Sequence, residues 1–183
     1  MHPRTPTMIA LMAFTAAAWM GAAAAQPAPT APPAHLIPQA LQIEQKETLE
    51  QLSILARRQA PVGPAASQAL KLLKRHIARE QEFILPPLSL LPLLADGKVT
   101  PDMAWALAMT DRVKAEREQI FEEHTEITEA LNRLIVAGIQ ADDNDAKEFA
   151  ESAAADSLSD MEILEPTLLL IGDTLRAKLP AGH

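Results

Sequence analysis

The chain predicts an all-α protein, an antiparallel four-helix bundle with a short helical C-terminal tail. Three observations lead there. Apolar residues recur at three-and-four spacing through four long segments, no stretch alternates with period two, and proline- or glycine-bearing breaks separate the segments. Aromatic residues make up only 3 %, so Leu, Ile, Ala and Met must fill the core. Four amphipathic helices on short connections bury their stripes most simply by packing antiparallel.

Residues 1–25 stand apart from that fold. Arg4 gives a weakly basic start, Met8 to Ala22 is an uncharged apolar run, and Ala23-Ala24-Ala25 offers a small-residue cleavage site before Gln26. This pattern is a secretory signal peptide; an uncleaved membrane anchor is the alternative. Residues 26–36, beginning QPAPTAPPA, read as a Pro/Ala-rich tether. The folded domain is expected over 37–179.

The first helix is expected to reach about Arg58, with Leu41, Gln45, Leu49, Leu52 and Ala56 on its stripe. Pro61-Val62-Gly63-Pro64 breaks it. The second runs from about Ala65 to Leu85 with Ala69, Leu73, His76, Glu80 and Phe83 inward, and Pro86-Pro87 ends it because proline lacks a donor and crowds the preceding turn. A short turn follows at Ser89 to Leu94. Thr100 as N-cap and Pro101 as first helical residue open a long segment to about Val136. A bend is expected near Thr110 to Lys114, and Ile120, His124, Ile127, Leu131 and Leu134 form the inner stripe. Gly138 to Asn144 is a loop. The last bundle helix spans about Asp145 to Leu164, with Phe149, Ala153, Asp156, Asp160 and Ile163 inward. Beyond Pro166, Leu168 to Leu179 forms a tail packed back on the bundle.

Composition excludes several function classes. After signal cleavage 15 basic residues face 24 acidic ones, a net charge of −9. Such a protein is a poor partner for nucleic acid or an anionic membrane surface. There is no cysteine, so disulfides, thiol catalysis and thiolate metal sites are excluded. Any metal must be held by nitrogen and oxygen.

The halves of the domain repeat one polar pattern. Glu44-Gln45 precedes His76-x-x-x-Glu80 and Pro86; Glu123-His124 precedes Asp156-x-x-x-Asp160 and Pro166. Thus Gln45 matches His124, His76 matches Asp156, and Glu80 matches Asp160. All six fall on apolar stripes, and i, i+4 spacing puts each pair on one helical face. A core carboxylate costs several kcal/mol unless it is paired or ligates a metal. Imidazole and carboxylate together suit iron, manganese or zinc. The alternative is a metal-free layer, with His76 paired to Asp156 and His124 to Glu80 or Asp160, or a wet helix made locally polar by Ser157 and Ser159.

The remaining polar features read as surface. His35 and His183 are expected in solvent. Glu82 and Glu162 lie off the stripe. Asp142-Asp143-Asn144-Asp145 lacks the glycine and terminal glutamate of a calcium loop and reads as a solvated loop with a helix cap. Arg57-Arg58 and Lys71 to Arg75 read as helix surface. No nucleophile elbow, phosphate loop or dinucleotide fingerprint is present.

At these residues the sequence resembles the hemerythrin-like family, the HHE cation-binding domains, over about Ile37 to Leu179. The family pattern is a histidine on helix 1, H-x-x-x-E before a proline on helix 2, a histidine on helix 3 and a second H-x-x-x-E before a proline on helix 4. The runs Pro86-Pro87-Leu88 and Pro166-Thr167-Leu168-Leu169-Leu170-Ile171-Gly172 add to the resemblance. It implies that His76, Glu80 and His124 match family ligands, that Gln45 stands for the helix 1 histidine, and that Asp156 and Asp160 replace the helix 4 pair. Ile120 and Thr128 stand one turn either side of His124, where no second histidine is found. The implied centre is therefore mononuclear iron or a degenerate di-iron site, with manganese or zinc also suited to the acidic ligand field.

The expected function is an exported, periplasmic or secreted metal-binding protein, non-enzymatic, used in metal or oxidant handling. Its partner is the metal ion, with neither nucleic acid nor membrane after cleavage. The alternative is a metal-free helical interaction module that has lost its site. Peroxide or nitric oxide chemistry at a metal rests on analogy alone.

Overall fold

The computed structural model describes residues 37–180, and among these every regular element is helical. The signal-peptide and tether expectations, with His35 and His183, lie outside the described residues. In order, α1 spans Gln39–Leu55 and α2 Val62–Arg79. Then come a π turn Glu80–Ile84, a 3-10 turn Pro86–Leu90 and α3 Leu91–Ala95. A 3-10 turn Pro101–Ala104 leads to α4 Trp105–Ala115, α5 Arg117–Gln140 and α6 Asn144–Ser159. A second π turn, Asp160–Leu164, runs into α7 Glu165–Lys178. Among the described residues no helix is long and apolar enough to cross a membrane.

Helix α1 packs on α2, α2 on α5, α5 on α6, and α6 touches α1. Elsewhere α4 packs on α7. Two apolar clusters result. One gathers Leu52, Ala69, Ile127, Leu131, Leu134 and Ala150 between α1, α2, α5 and α6. The other gathers Phe83, Leu88, Val113, Ile120, Leu168 and Leu175 around the π and 3-10 turns, α4 and α7. Along α1, α2, α5 and α6 alike, the expected polar layer falls between members of the first cluster and members of the second. The core is interrupted there, not merely decorated.

Several boundaries differ from expectation. Helix α1 stops at Leu55, before Arg58, and α2 begins at Val62 inside the Pro-Val-Gly-Pro run. Pro64 is tolerated there because the first-turn amide has no helical acceptor. The long helix breaks at Glu116 (φ −99°, ψ 14°), beyond the expected Thr110 to Lys114. The Glu116 carboxylate is held by Arg112 on α4 and Arg79 on α2, so a tertiary ion pair marks the break where no glycine or proline does. Thr100 is extended but makes no side-chain cap bond. The loop before α6 shrinks because α5 continues to Gln140. There Asp143 accepts the Ala146 amide at 3.1 Å and pairs with Arg58, so the acidic run caps a helix and Arg58 is not idle surface.

The π turns follow from the prolines. An α-helical proline crowds the carbonyl four residues back and donates no hydrogen bond. Widening the turn relieves the crowding, and Leu85 N–H reaches Glu80 C=O at 2.8 Å, five residues back. A π turn advances less rotation per residue than an α turn, which overturns one inward expectation. Ile163 is 67 % exposed, and Leu168 takes up the core position further along. Asp156 also lies on the exposed side of α6.

Helices α4 and α7 approach at Gly172, where a Cβ would stand 2.5 Å from Thr110 Oγ1. Gly172→Ala is expected to lower stability by ~1–3 kcal/mol in urea unfolding. Thr110→Ala on that background should recover part of the loss, since it removes the hydroxyl but leaves the Cβ.

Candidate metal centre

The polar layer surrounds one cavity of about 60 Å³, lined by Gln45, His76, Glu80, His124, Asp156 and Asp160, with Glu44 and Ser157 beside them. All six expected residues therefore meet. Helix α1 supplies Gln45, α2 supplies His76, and α5 supplies His124; Glu80 and Asp160 each open a π turn, where the widened backbone begins.

His76 is 3 % exposed. Its Nδ1 lies 3.0 Å from Glu123 Oε2, and its Nε2 lies 3.4 Å from Glu80 Oε1 without forming a hydrogen bond. Burial opposes charge on the ring, but Glu80 and Glu123 together outweigh it and hold its pKa above the ordinary histidine value. Burial likewise works against charge on Glu123, yet His76 and Arg79 keep its carboxyl below the usual range. An ionised carboxylate only accepts, so the Nδ1 of His76 carries a proton. In the neutral ring the lone pair is then at Nε2.

His124 packs edge-on against His76, with ring centroids 4.4 Å apart, and its Nδ1 lies 3.0 Å from Ser157 Oγ. Burial and the neighbouring His76 push its pKa down to about 4, so it is neutral at neutral pH. The expected metal-free pairings are not the ones formed: His76 bonds Glu123, not Asp156, and His124 bonds Ser157, not Glu80 or Asp160. Gln45 Nε2 donates to Glu80 Oε2 at 2.8 Å, and Gln45 Oε1 accepts from Gln81 at 2.8 Å. Burial, then the charge on Glu80, raises Asp160 to about 7. Burial and the Asp156 and Glu80 charges raise Glu44 as well.

The donors suit a cation chemically: two imidazoles, carboxylates, and one buried ring nitrogen that faces Glu80 without a hydrogen bond. Their spacing is looser. Among the described residues no three His, Asp or Glu side chains converge as a ready-made metal-holding group. Glu44, Arg79, Glu123 and Ser157 join the site although the sequence alone assigns them no place in it. The repeat aligns Glu44 with Glu123, which is the signal that marks this pair. Compared with protein-family models, curated proteins and solved structures, the chain matches none.

Two titrations oppose each other in the metal-free protein. Asp160 is raised from 3.8 to about 7, so its contribution to stability is full below pH 3.8 and is lost as pH rises through 7. His124 is lowered from 6.5 to about 4, so its contribution is full above pH 6.5 and is lost as pH falls through 4. Asp160→Asn abolishes the first slope alone. Urea unfolding of the two metal-free proteins should show the variant gaining on the wild type as pH rises from about 4 to about 7, with no further gain above that. A constant difference across the range would rule out the raised Asp160.

Proposed function

We propose that this chain is an exported, hemerythrin-like metal-binding protein, in which α1, α2, α5 and α6 form an antiparallel four-helix bundle around a partly substituted His/carboxylate site. One observation carries the reading. The Nε2 of His76 is buried without a hydrogen-bond partner, beside a cavity that all six repeat positions line. That nitrogen faces Glu80 Oε1 at 3.4 Å without a hydrogen bond, and a cation held by His76 and Glu80 would be a partner to both.

His76, His124, Glu80 and Asp160 would hold the ion, with Asp156 at the rim and Gln45 steering Glu80. A cavity of about 60 Å³ has room for one ion with a small ligand. Iron, manganese or zinc fits the nitrogen and oxygen donors, and when bound it would supply Lewis acidity or, for iron and manganese, redox activity. His124 enters with no proton to displace at neutral pH. Asp160, raised to about 7, holds a proton below that pH that a cation would have to expel, and Glu80 and Glu123 favour the protonated form of His76, so uptake should weaken as the solution is acidified.

Elemental mass spectrometry of the purified protein, and of samples reconstituted with Fe(II), Mn(II) or Zn(II), is expected to find about one ion per chain. His76→Ala with His124→Ala should empty it. An empty native and reconstituted protein, or full occupancy in the double variant, overturns the proposal.

A metal-free helical interaction module is the second reading. It is favoured by the Gln81–Gln45–Glu80 chain, which engages Glu80 without an ion. On that reading a chelator leaves the thermal midpoint unchanged, whereas a large rise on adding iron or zinc excludes it.

A further inference from the structure

We infer that Glu123, clamped by Arg79, is a positioning residue that locks the His76 ring with Nε2 toward the cavity. This rests on the reading of the cavity as a cation site. An imidazole can rotate, and in its neutral form it can carry its proton on either nitrogen. Only a fixed partner on one nitrogen leaves the other as a defined donor. Glu123 is that partner, at 3.0 Å from Nδ1.

The carboxylate is itself spoken for. Its Oε2 faces His76, and its Oε1 receives Arg79 and, at 3.3 Å, Gln119 Nε2. Both oxygens are engaged outside the cavity, which Glu123 does not line. It is therefore placed to orient a ligand and not to be one. Arg79 is anchored in turn. Its side chain is 14 % exposed, it pairs with Glu116 as well, and it lies 5.6 Å over the Phe83 ring. Arg112 extends the array from Glu116 to Glu82.

The repeat supplies an internal control. Glu44 stands where Glu123 stands, but the position matching Arg79 is Ser159, whose hydroxyl bonds the Ala155 carbonyl at 3.2 Å. Where the histidine is kept, the carboxylate behind it has an arginine clamp. Where aspartate replaces the histidine, the clamp is missing too. The clamp thus accompanies the imidazole, as an orienting device should, and not the carboxylate.

The test is ¹⁵N NMR of the His76 ring in the metal-free full chain, on the alkaline side of its titration, together with Zn²⁺ affinity by chelator competition. The wild type should show the Nδ1–H tautomer. Glu123→Ala should shift the ring toward a mixture and weaken Zn²⁺ binding by roughly 10–100-fold, with Glu123→Gln, whose amide oxygen still accepts, recovering part of both. Arg79→Met leaves the pair but removes its anchor, and should move both readouts in the same direction by less. It also serves if Glu123→Ala does not fold. An unchanged tautomer in Glu123→Ala, or in Arg79→Met where only that variant folds, overturns the clamp. Absence of Zn²⁺, Fe(II) and Mn(II) binding in the wild type would sink the metal reading instead, while the tautomer still decides the clamp.

Discussion

A buried imidazole between two carboxylates is the constraint around which the rest of this fold is arranged. Removing an ion from water costs several kcal/mol, and removing one partner of a buried pair leaves the other uncompensated. His76, Glu80 and Glu123 each have that problem, and each is solved by a neighbour: His76 by the two carboxylates, Glu123 by Arg79 as well, and Glu80 by Gln45. The solution spreads outward. Arg79 also holds Glu116, which is where the long helix breaks into α4 and α5, and α4 then packs on α7. A polar requirement deep in the core thus reaches the arrangement of the outer helices.

The two halves of the repeat solve the problem differently. In one, imidazole faces carboxylate, and each partner favours the charged form of the other. In the other, Glu44 and Asp156 set carboxyl against carboxyl, near Glu80 and Asp160. Burial first, and like charges at close range second, disfavour ionisation, so Glu44 and Asp160 hold their protons to higher pH than usual. Exposure of Asp156 and Glu44 on the rim eases that crowding with water. The asymmetry of sequence becomes an asymmetry of protonation across a single cavity.

Much of the helical order was legible in the sequence. Periodicity placed the four long segments, and prolines and glycines marked most of the breaks. The inner stripe of α5, from Ile120 to Leu134, is buried throughout. The six-residue polar layer was legible because it repeats and because leucine belongs at those positions. The break at Glu116 was misplaced because its cause is a partner on another helix. Ile163 was misjudged because one widened turn alters the phase of everything after it. Glu123, Ser157 and Arg79 received no role from the sequence for a shared reason: each is the immediate chain neighbour of a stripe residue, His124, Asp156 or Glu80, where a single sequence reads surface.

The paired π turns have a consequence for how this protein tolerates change. Each stands between the two apolar clusters, directly at a cavity carboxylate, and sets the rotational phase of one cluster relative to the other. Each widened turn takes up one residue more than an α turn while the helix runs on. A residue lost there would be absorbed by α-helical winding with the downstream stripe still facing its cluster, whereas a residue lost elsewhere in the same helix would turn that stripe by about 100°. The chain thus has slack in length at two points, and both coincide with its candidate chemistry.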